Sequence, residues 1–181
     1  RHGVEAVAQQ LDAGRKHESL ADFVRANEFP ANLQIGKPPY YARDPQLYYH
    51  LAMAHAALGN APQSRASLKK AIECPIQDCH YLYYQARACQ ELDQQQKAQE
   101  LLQRLKEFSR RKLEQAAAGR YTLVDHARDA QRKDLCAGHY ARALVHMAAH
   151  ERPQAVEALK QTLAVDANHL WAMRYLNTED R

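Results

Sequence analysis

Apolar residues recur at helical spacing in two neighbouring segments, residues 45–58 and 62–73. The break between them holds Gly59, and glycine accepts the left-handed conformation in which many helices end. Pro62 then favours a new helix, because proline at the first helical position loses no hydrogen bond. The second helix must end before Pro75, since a residue that precedes proline avoids the helical conformation. The pattern predicts two helices joined by a tight turn.

This pattern returns 34 residues later, where Tyr83 and Ala86 match Tyr49 and Ala52, and Asp93 takes the place of Gly59. A third copy begins a further 57 residues along, which is one period plus an insertion of 23 residues. A fixed period of this length is typical of stacked helix-turn-helix arrays. The chain divides into approximate repeats 1–33, 45–78, 79–112 and 136–169, insertions 34–44 and 113–135, and a cap helix 170–177.

In the repeat 79–112 the pattern predicts a first helix over residues 79–92 and a second that starts near Gln95 and continues towards Ala118. The insertion 113–135 predicts an extension of that helix followed by an irregular or short helical segment. Composition agrees with a helical class, because Ala, Leu, Gln, Glu, Lys and Arg dominate and β-branched residues are sparse. We therefore predict an all-α fold.

The formal net charge is +4, from 25 basic and 21 acidic residues. The densest basic segment is Arg110-Arg111-Lys112, with Arg104 and Lys106 nearby. Nucleic-acid binding normally needs a wider basic stripe with aromatic side chains that stack on bases. A solvated helix face is the preferred interpretation, and a nucleic-acid or regulatory module is the remote alternative.

Four cysteines, with no signal peptide and no apolar run of about 18 residues, favour a reduced cytoplasmic protein that does not enter a membrane. The chain begins at Arg1 without an initiator Met, so we also consider a piece of a longer protein whose targeting segment would be absent.

The repeated positions resemble the tetratricopeptide repeat family. In the repeat 45–78 they are Tyr48, Leu51, Ala52, His55, Leu58, Gly59, Ser64, Leu68, Ala71 and Pro75. The last repeat ends in Asp166-Ala167-Asn168, which is close to the Asp-Pro-Asn connection of the family. The chain departs from the family at Leu105 and Thr162, where alanine is usual, and at His146. The resemblance implies a right-handed α-solenoid of helix-turn-helix repeats with a terminal capping helix.

The resemblance also implies that the first helix of each pair lines a concave groove that binds a peptide or a partner domain. The implied groove residues are Tyr49, Met53, His80, Tyr83, Arg87, Gln90, Tyr140, Leu144 and Met147. Tyrosine rings offer flat apolar faces and hydroxyl groups to a ligand. Alternatively, these rings pack against the chain's own segment 38–41 or against an adjacent domain. A clamp for chaperone tails is not expected, because Tyr49 and Met53 replace the Lys and Asn it requires.

A second resemblance rests on residues 29–33, 36–37, 48–51, 80–82 and 107–108. They are similar to the helical tail of bacterial proteins of unknown function that carry a large β-sandwich in front. This resemblance implies, as the alternative function, a structural tail of a carbohydrate-associated protein. The partner would then be its own N-terminal domain.

Two groups of side chains have partial metal-ligand character. The first comprises His139, His146 and His150, and the second comprises Cys74, Cys79 and His80. Neither has the ligand set and spacing of known zinc sites, so we expect no metal. Phosphate-binding loops, nucleophile motifs and a convincing acid–base pair are all missing from the sequence. The sequence therefore predicts a protein-interaction scaffold without catalysis, cofactor or nucleic-acid partner.

Overall fold

A computed structural model describes residues 44–119, 121 and 124–179, together with Glu18, Leu20 and Ala21. The predicted repeat 1–33 and insertion 34–44 lie outside the described residues, apart from those three positions and Asp44. The described part is all-helical, without a strand, which confirms the all-α class. Its helices are α1 (Asp44–Ala57), α2 (Ala61–Glu73), α3 (Leu82–Glu91), α4 (Gln95–Ala118), α5 (Val124–Ala148), α6 (Arg152–Val165) and α7 (Leu170–Glu179).

The chain divides into two compact units. The first contains the described residues up to Gln77 together with residues 84–98, and in it α1 packs against α2. The second contains residues 78–83 and the described residues from Gln99 onwards, and in it α5 packs against α6 and α6 against α7.

Three helical hairpins close with the same turn. The first residue after the last helical turn is left-handed in each case: φ is +75° at Gly59, +57° at Asp93 and +58° at His150. Behind Gly59, the Asn60 N–H donates to the His55 carbonyl at 2.9 Å and the Gly59 N–H to the Ala56 carbonyl at 3.0 Å. This paired pattern is the Schellman cap, which satisfies carbonyls left open by the helix end.

The other two hairpins repeat this cap bond for bond, at Asp93 and at His150. Residues 59, 93 and 150 are 34 and 57 positions apart, the same offsets that relate the sequence copies. The register predicted from the sequence is therefore the register of the hairpins.

Burial follows the same register. The small residues Ala52, Ala86 and Ala143 of the first helices are completely buried. Without bulk beyond Cβ, they let neighbouring helices approach closely. In the second helices the equivalent positions are Ala71, Leu105 and Thr162, also completely buried. Two of the three departures from the tetratricopeptide pattern, Leu105 and Thr162, are thus accommodated inside the core, where the Thr162 hydroxyl donates to the Ala158 carbonyl at 2.8 Å.

Two boundaries differ from the sequence-based expectation. Helix α3 begins at Leu82, three residues later than predicted, because the Leu82 and Tyr83 N–H groups still form turn hydrogen bonds to Cys79 and His80. The insertion 113–135 extends α4 to Ala118, as expected, but from Val124 onwards it forms the start of α5 and not an irregular or separate short helical segment.

Gln85 on α3 stabilises the end of α2 inside the first unit. Its buried Nε2 donates to the carbonyls of Cys74 at 2.7 Å and Ala71 at 3.0 Å, with a longer contact to Ile72 at 3.3 Å. These carbonyls stand at the α2 terminus, where Pro75 prevents the helix from continuing. The amide therefore takes the place of the solvent that would otherwise satisfy them.

In the second unit, α4 and α5 approach closely at Gly138. A Cβ atom added there would lie 2.7 Å from the Leu113 Cγ. The Ser109 hydroxyl donates to the Gly138 carbonyl at 2.8 Å across the same contact. The glycine is required here for its small size, because a larger residue would displace the Leu113 side chain.

We expect Asp93→Gly and His150→Gly each to raise the free energy of unfolding by about 0.5–1 kcal/mol, because glycine adopts the left-handed conformation without a Cβ penalty. Urea unfolding monitored by circular dichroism measures the change. Asp129→Gly, at an exposed position inside α5, is the control and should lower stability by a few tenths of a kcal/mol. Destabilisation by both hairpin variants would contradict the assigned turn.

Gln85→Leu should lower the free energy of unfolding by about 1–3 kcal/mol, because it leaves buried carbonyls without donors. Gln99→Leu, which changes an exposed glutamine on α4, should stay within about 0.5 kcal/mol of the parent. Chemical denaturation of the three proteins side by side tests the expectation. Equal stabilities would show that the amide contributes nothing to the α2 end.

Candidate functional site

Four of the nine predicted groove residues lie in the first unit. Tyr49 and Met53 stand one turn apart on α1 and are half-buried against a core formed by Ala52, Leu68, Ala71 and Ala88. Arg87 and Gln90 stand one turn apart on α3 and are also half-buried. The structure links the two helices directly, because Arg87 forms a side-chain hydrogen bond with Tyr49.

Tyr49 is held by aromatic and charged neighbours. Its ring centroid lies 5.9 Å from that of Tyr84 and 5.6 Å from that of His50. Burial raises the pKa of the Tyr49 hydroxyl, and the opposing effect of Arg87 does not cancel it. The phenol is therefore neutral at physiological pH. The Arg87 guanidinium also lies 3.8 Å from the Glu91 carboxylate, one turn further along α3.

We call these four side chains, which α1 and α3 contribute around the Tyr49–Arg87 hydrogen bond, the α1–α3 face. It presents an aromatic ring, a thioether, a guanidinium and an amide on a packed base. Such a mixture suits a ligand with both apolar and hydrogen-bonding groups.

The other five predicted groove residues lie in the second unit, and three of them are buried. Tyr83 is 5 % exposed, Tyr140 2 % and Leu144 is completely buried. His80 and Met147 retain part of their exposure. The Tyr140 ring lies 5.4 Å from that of His80 and 4.4 Å from that of His169. Tyr140 and Leu144 therefore pack inside this unit, and a ligand at its present surface could meet His80 and Met147.

The proposed self-packing partner of the tyrosines, residues 38–41, lies outside the described residues. The alternative that the tyrosine rings pack there stays a prediction.

Four basic residues of α4 pair with carboxylates, and two of the four share one carboxylate. Arg104 and Arg111 both bind Asp78, with nitrogen–oxygen distances of 2.7 and 2.9 Å. Lys112 binds Asp134 at 2.7 Å. Arg110 pairs with two carboxylates of its own helix, Glu107 and Glu114. These pairs lower the positive potential that a nucleic-acid backbone would need.

The three histidines that the sequence grouped as partial metal ligands have different roles in the structure. His146 Nδ1 lies 2.6 Å from the Glu151 carboxylate, whereas His139 Nδ1 contacts Arg142 at 3.0 Å and His150 forms the left-handed turn. Across the described residues, no group of three His, Cys, Asp or Glu side chains could hold a metal ion. All four cysteines are free thiols, and burial raises the pKa of Cys79, Cys89 and Cys136.

A shallow cleft of about 500 Å³ opens where α4 ends, and sequence reasoning missed it. Its lining residues are Glu114, Gln115, Ala118, Tyr121 and Asp134. The Tyr121 hydroxyl donates to Asp134 at 3.0 Å, and Lys112 binds the other oxygen of that carboxylate. Because both carboxylates of the cleft already pair with cations, they are poorly suited to act as a general acid or base.

Comparison of the chain with protein-family models, with curated proteins and with solved structures finds no match in any of the three. Over the part of the chain that the structure describes, every helix is too short or too polar to cross a lipid bilayer.

Asp78→Asn should destabilise the protein by at most about 1 kcal/mol at pH 7, since the ion pairs with Arg104 and Arg111 are partly exposed. The hydrogen bond from Arg104, above all, holds the pKa of this carboxyl below its ordinary 3.8. A lowered pKa gives stabilisation that is present above the ordinary pKa and disappears as the pH falls through the folded-state value.

The difference between parent and variant should therefore shrink towards pH 3 in urea unfolding experiments. Asp129→Asn, at an exposed position on α5, serves as the control and should show no such pH-dependent difference. A loss of stability in Asp78→Asn that persists unchanged at pH 3 would contradict an ionic origin.

Proposed function

We propose that this chain is a non-catalytic binding scaffold, in which helical hairpins stack as a right-handed solenoid of tetratricopeptide type and hold a peptide or partner domain. The observation that carries the proposal is the recurrence of one hairpin turn at residues 59, 93 and 150. Arrays of identical hairpins create extended surfaces from equivalent positions, and these surfaces are what repeat proteins use for binding.

The α1–α3 face supports this function in the first unit. Tyr49 and Met53 rest on a buried core, so their positions are largely fixed before a ligand arrives. A preorganised surface loses little conformational entropy on binding. The half-exposed Arg87 and Gln90 add hydrogen-bond donors at its border, which would orient a peptide backbone or a polar side chain.

The proposed ligand is a peptide segment with an apolar side chain for the Met53 region and an acceptor group for Arg87. Contact through Tyr140 and Leu144 would require movement in the second unit, because both are buried there. We therefore assign the first contact to the α1–α3 face and no catalytic role to any residue.

A random peptide library displayed on phage tests the proposal. We expect the chain to select peptides that bind with dissociation constants below about 100 μM, and Arg87→Ala and Gln90→Ala each to weaken the selected peptides about tenfold, which corresponds to about 1.4 kcal/mol. Fluorescence anisotropy with labelled peptides measures the affinities.

Arg65→Ala and Gln63→Ala are the matched controls, because they change the same residue types at exposed positions of α2. They should leave affinity unchanged, and circular dichroism should show equal helicity in all variants. Selection of no peptide, or peptides that bind the α3 variants as tightly as the parent, would contradict the α1–α3 face as a binding surface.

A further inference from the structure

His169 forms the start of the last helix. Its ring Nδ1 accepts a hydrogen bond from the Ala172 N–H at 3.1 Å, and its carbonyl accepts one from the Met173 N–H, also at 3.1 Å. The imidazole therefore caps α7 in the way that Ser, Asp or Asn side chains usually cap helices. An acceptor at Nδ1 requires a neutral ring with its proton on Nε2.

The same imidazole contacts the second unit's aromatic cluster. Its ring centroid lies 4.4 Å from that of Tyr140 on α5, and the Tyr140 centroid lies 5.4 Å from that of His80. His80 in turn stacks on Tyr81, with centroids 4.0 Å apart. A buried tyrosine thus connects two imidazoles, and one of these holds the N-terminus of α7.

We propose that α7 is an acid-sensitive cap, which protonation of His169 and His80 detaches from the buried face of Tyr140. This inference does not rest on the proposed binding function. It concerns the second unit alone and would stand if the α1–α3 face bound nothing.

Protonation weakens the attachment of α7 through three physical effects. A proton on Nδ1 turns the cap acceptor into a donor, so the Ala172 N–H loses its partner. A positive charge at a helix N-terminus opposes the helix dipole. Two cationic imidazoles near one buried tyrosine also repel each other in surroundings of low polarity.

The surroundings of the two imidazoles determine whether their pKa values rise or fall. Burial, with a smaller effect from His169, lowers the pKa of His80 from 6.5 to about 4. Burial also lowers the pKa of His169, although the Asp166 carboxylate partly opposes the change. The rings of Tyr140 and Tyr81 contact the His80 imidazole, with centroids 5.4 and 4.0 Å away, and supply the aromatic part of its surroundings.

The lowered pKa values of the two histidines determine how the stability of the attached state depends on pH. Both histidines are neutral in the folded protein at a pH where the detached state binds protons. Stability of the attached state is therefore complete above about pH 6.5 and falls as the pH drops from 6.5 towards 4. Each histidine that detachment returns to water changes the attachment equilibrium by up to about tenfold per pH unit in that window.

Trp171 reports on the attachment directly. It is the single tryptophan of the chain, lies on α7 two residues after His169, and is 8 % exposed. We expect its emission maximum to move to longer wavelength as the pH falls from 7 to 4. Far-UV circular dichroism should meanwhile lose no more than the share of α7, which has 10 of the 181 residues.

The variant His80→Asn/His169→Asn should keep throughout this range the emission that the parent has at pH 7, because asparagine caps helices without titrating.

Asp166→Asn retains the side-chain acceptor for the Asn168 N–H and removes the charge that raises the pKa of His169. It should shift the transition to lower pH, and it tests the proposal independently if the double variant does not fold. His150→Asn, at an exposed histidine, is the control and should leave the transition in place.

Three results would overturn the proposal. The first is an emission maximum that stays constant down to pH 4. The second is a change that coincides with loss of the whole helical signal. The third is an unchanged transition in the double variant or in Asp166→Asn.

Discussion

The described helices depend on one constraint, the left-handed residue that closes each hairpin. In all three hairpins the chain reverses through a residue of positive φ, and the paired hydrogen bonds at Gly59, Asp93 and His150 satisfy carbonyls that the first helix leaves open. The close packing of α1 on α2 and of α5 on α6 then depends on side-chain size. Alanine at positions 52 and 143 meets that requirement, and both side chains are completely buried.

Sequence reasoning could predict what is local and periodic. Glycine at position 59 identified the first turn, and the 34-residue register then placed Asp93 in the second. The sequence grouped His150 with partial metal ligands, whereas only the structure shows that its backbone is left-handed and closes the third hairpin. The helical insertion was harder to predict, because its polar pattern allows both a helix and an irregular segment.

Interactions between distant residues could not be predicted from spacing. The amide of Gln85 and the imidazole of His169 act on partners that the folded backbone places beside them, and neither residue type is a usual cap for such a helix end. In the candidate site, too, some features follow from the sequence register and others depend on distant residues. Register alone placed Tyr49 and Arg87 on facing helices, but the burial of Tyr140 and Leu144 depends on neighbours in the folded unit.

The hydrogen bonds of Gln85 make the first helical hairpin depend on the helix that follows it. In repeat arrays each unit contacts only its neighbours, and stability is the sum of contributions from the units and from the interfaces between them. Here the last carbonyls of α2 are satisfied by a side chain that belongs to the following hairpin. A hairpin transplanted or cut at Pro75 would leave those carbonyls to water, so the end of α2 is complete only when α3 is present.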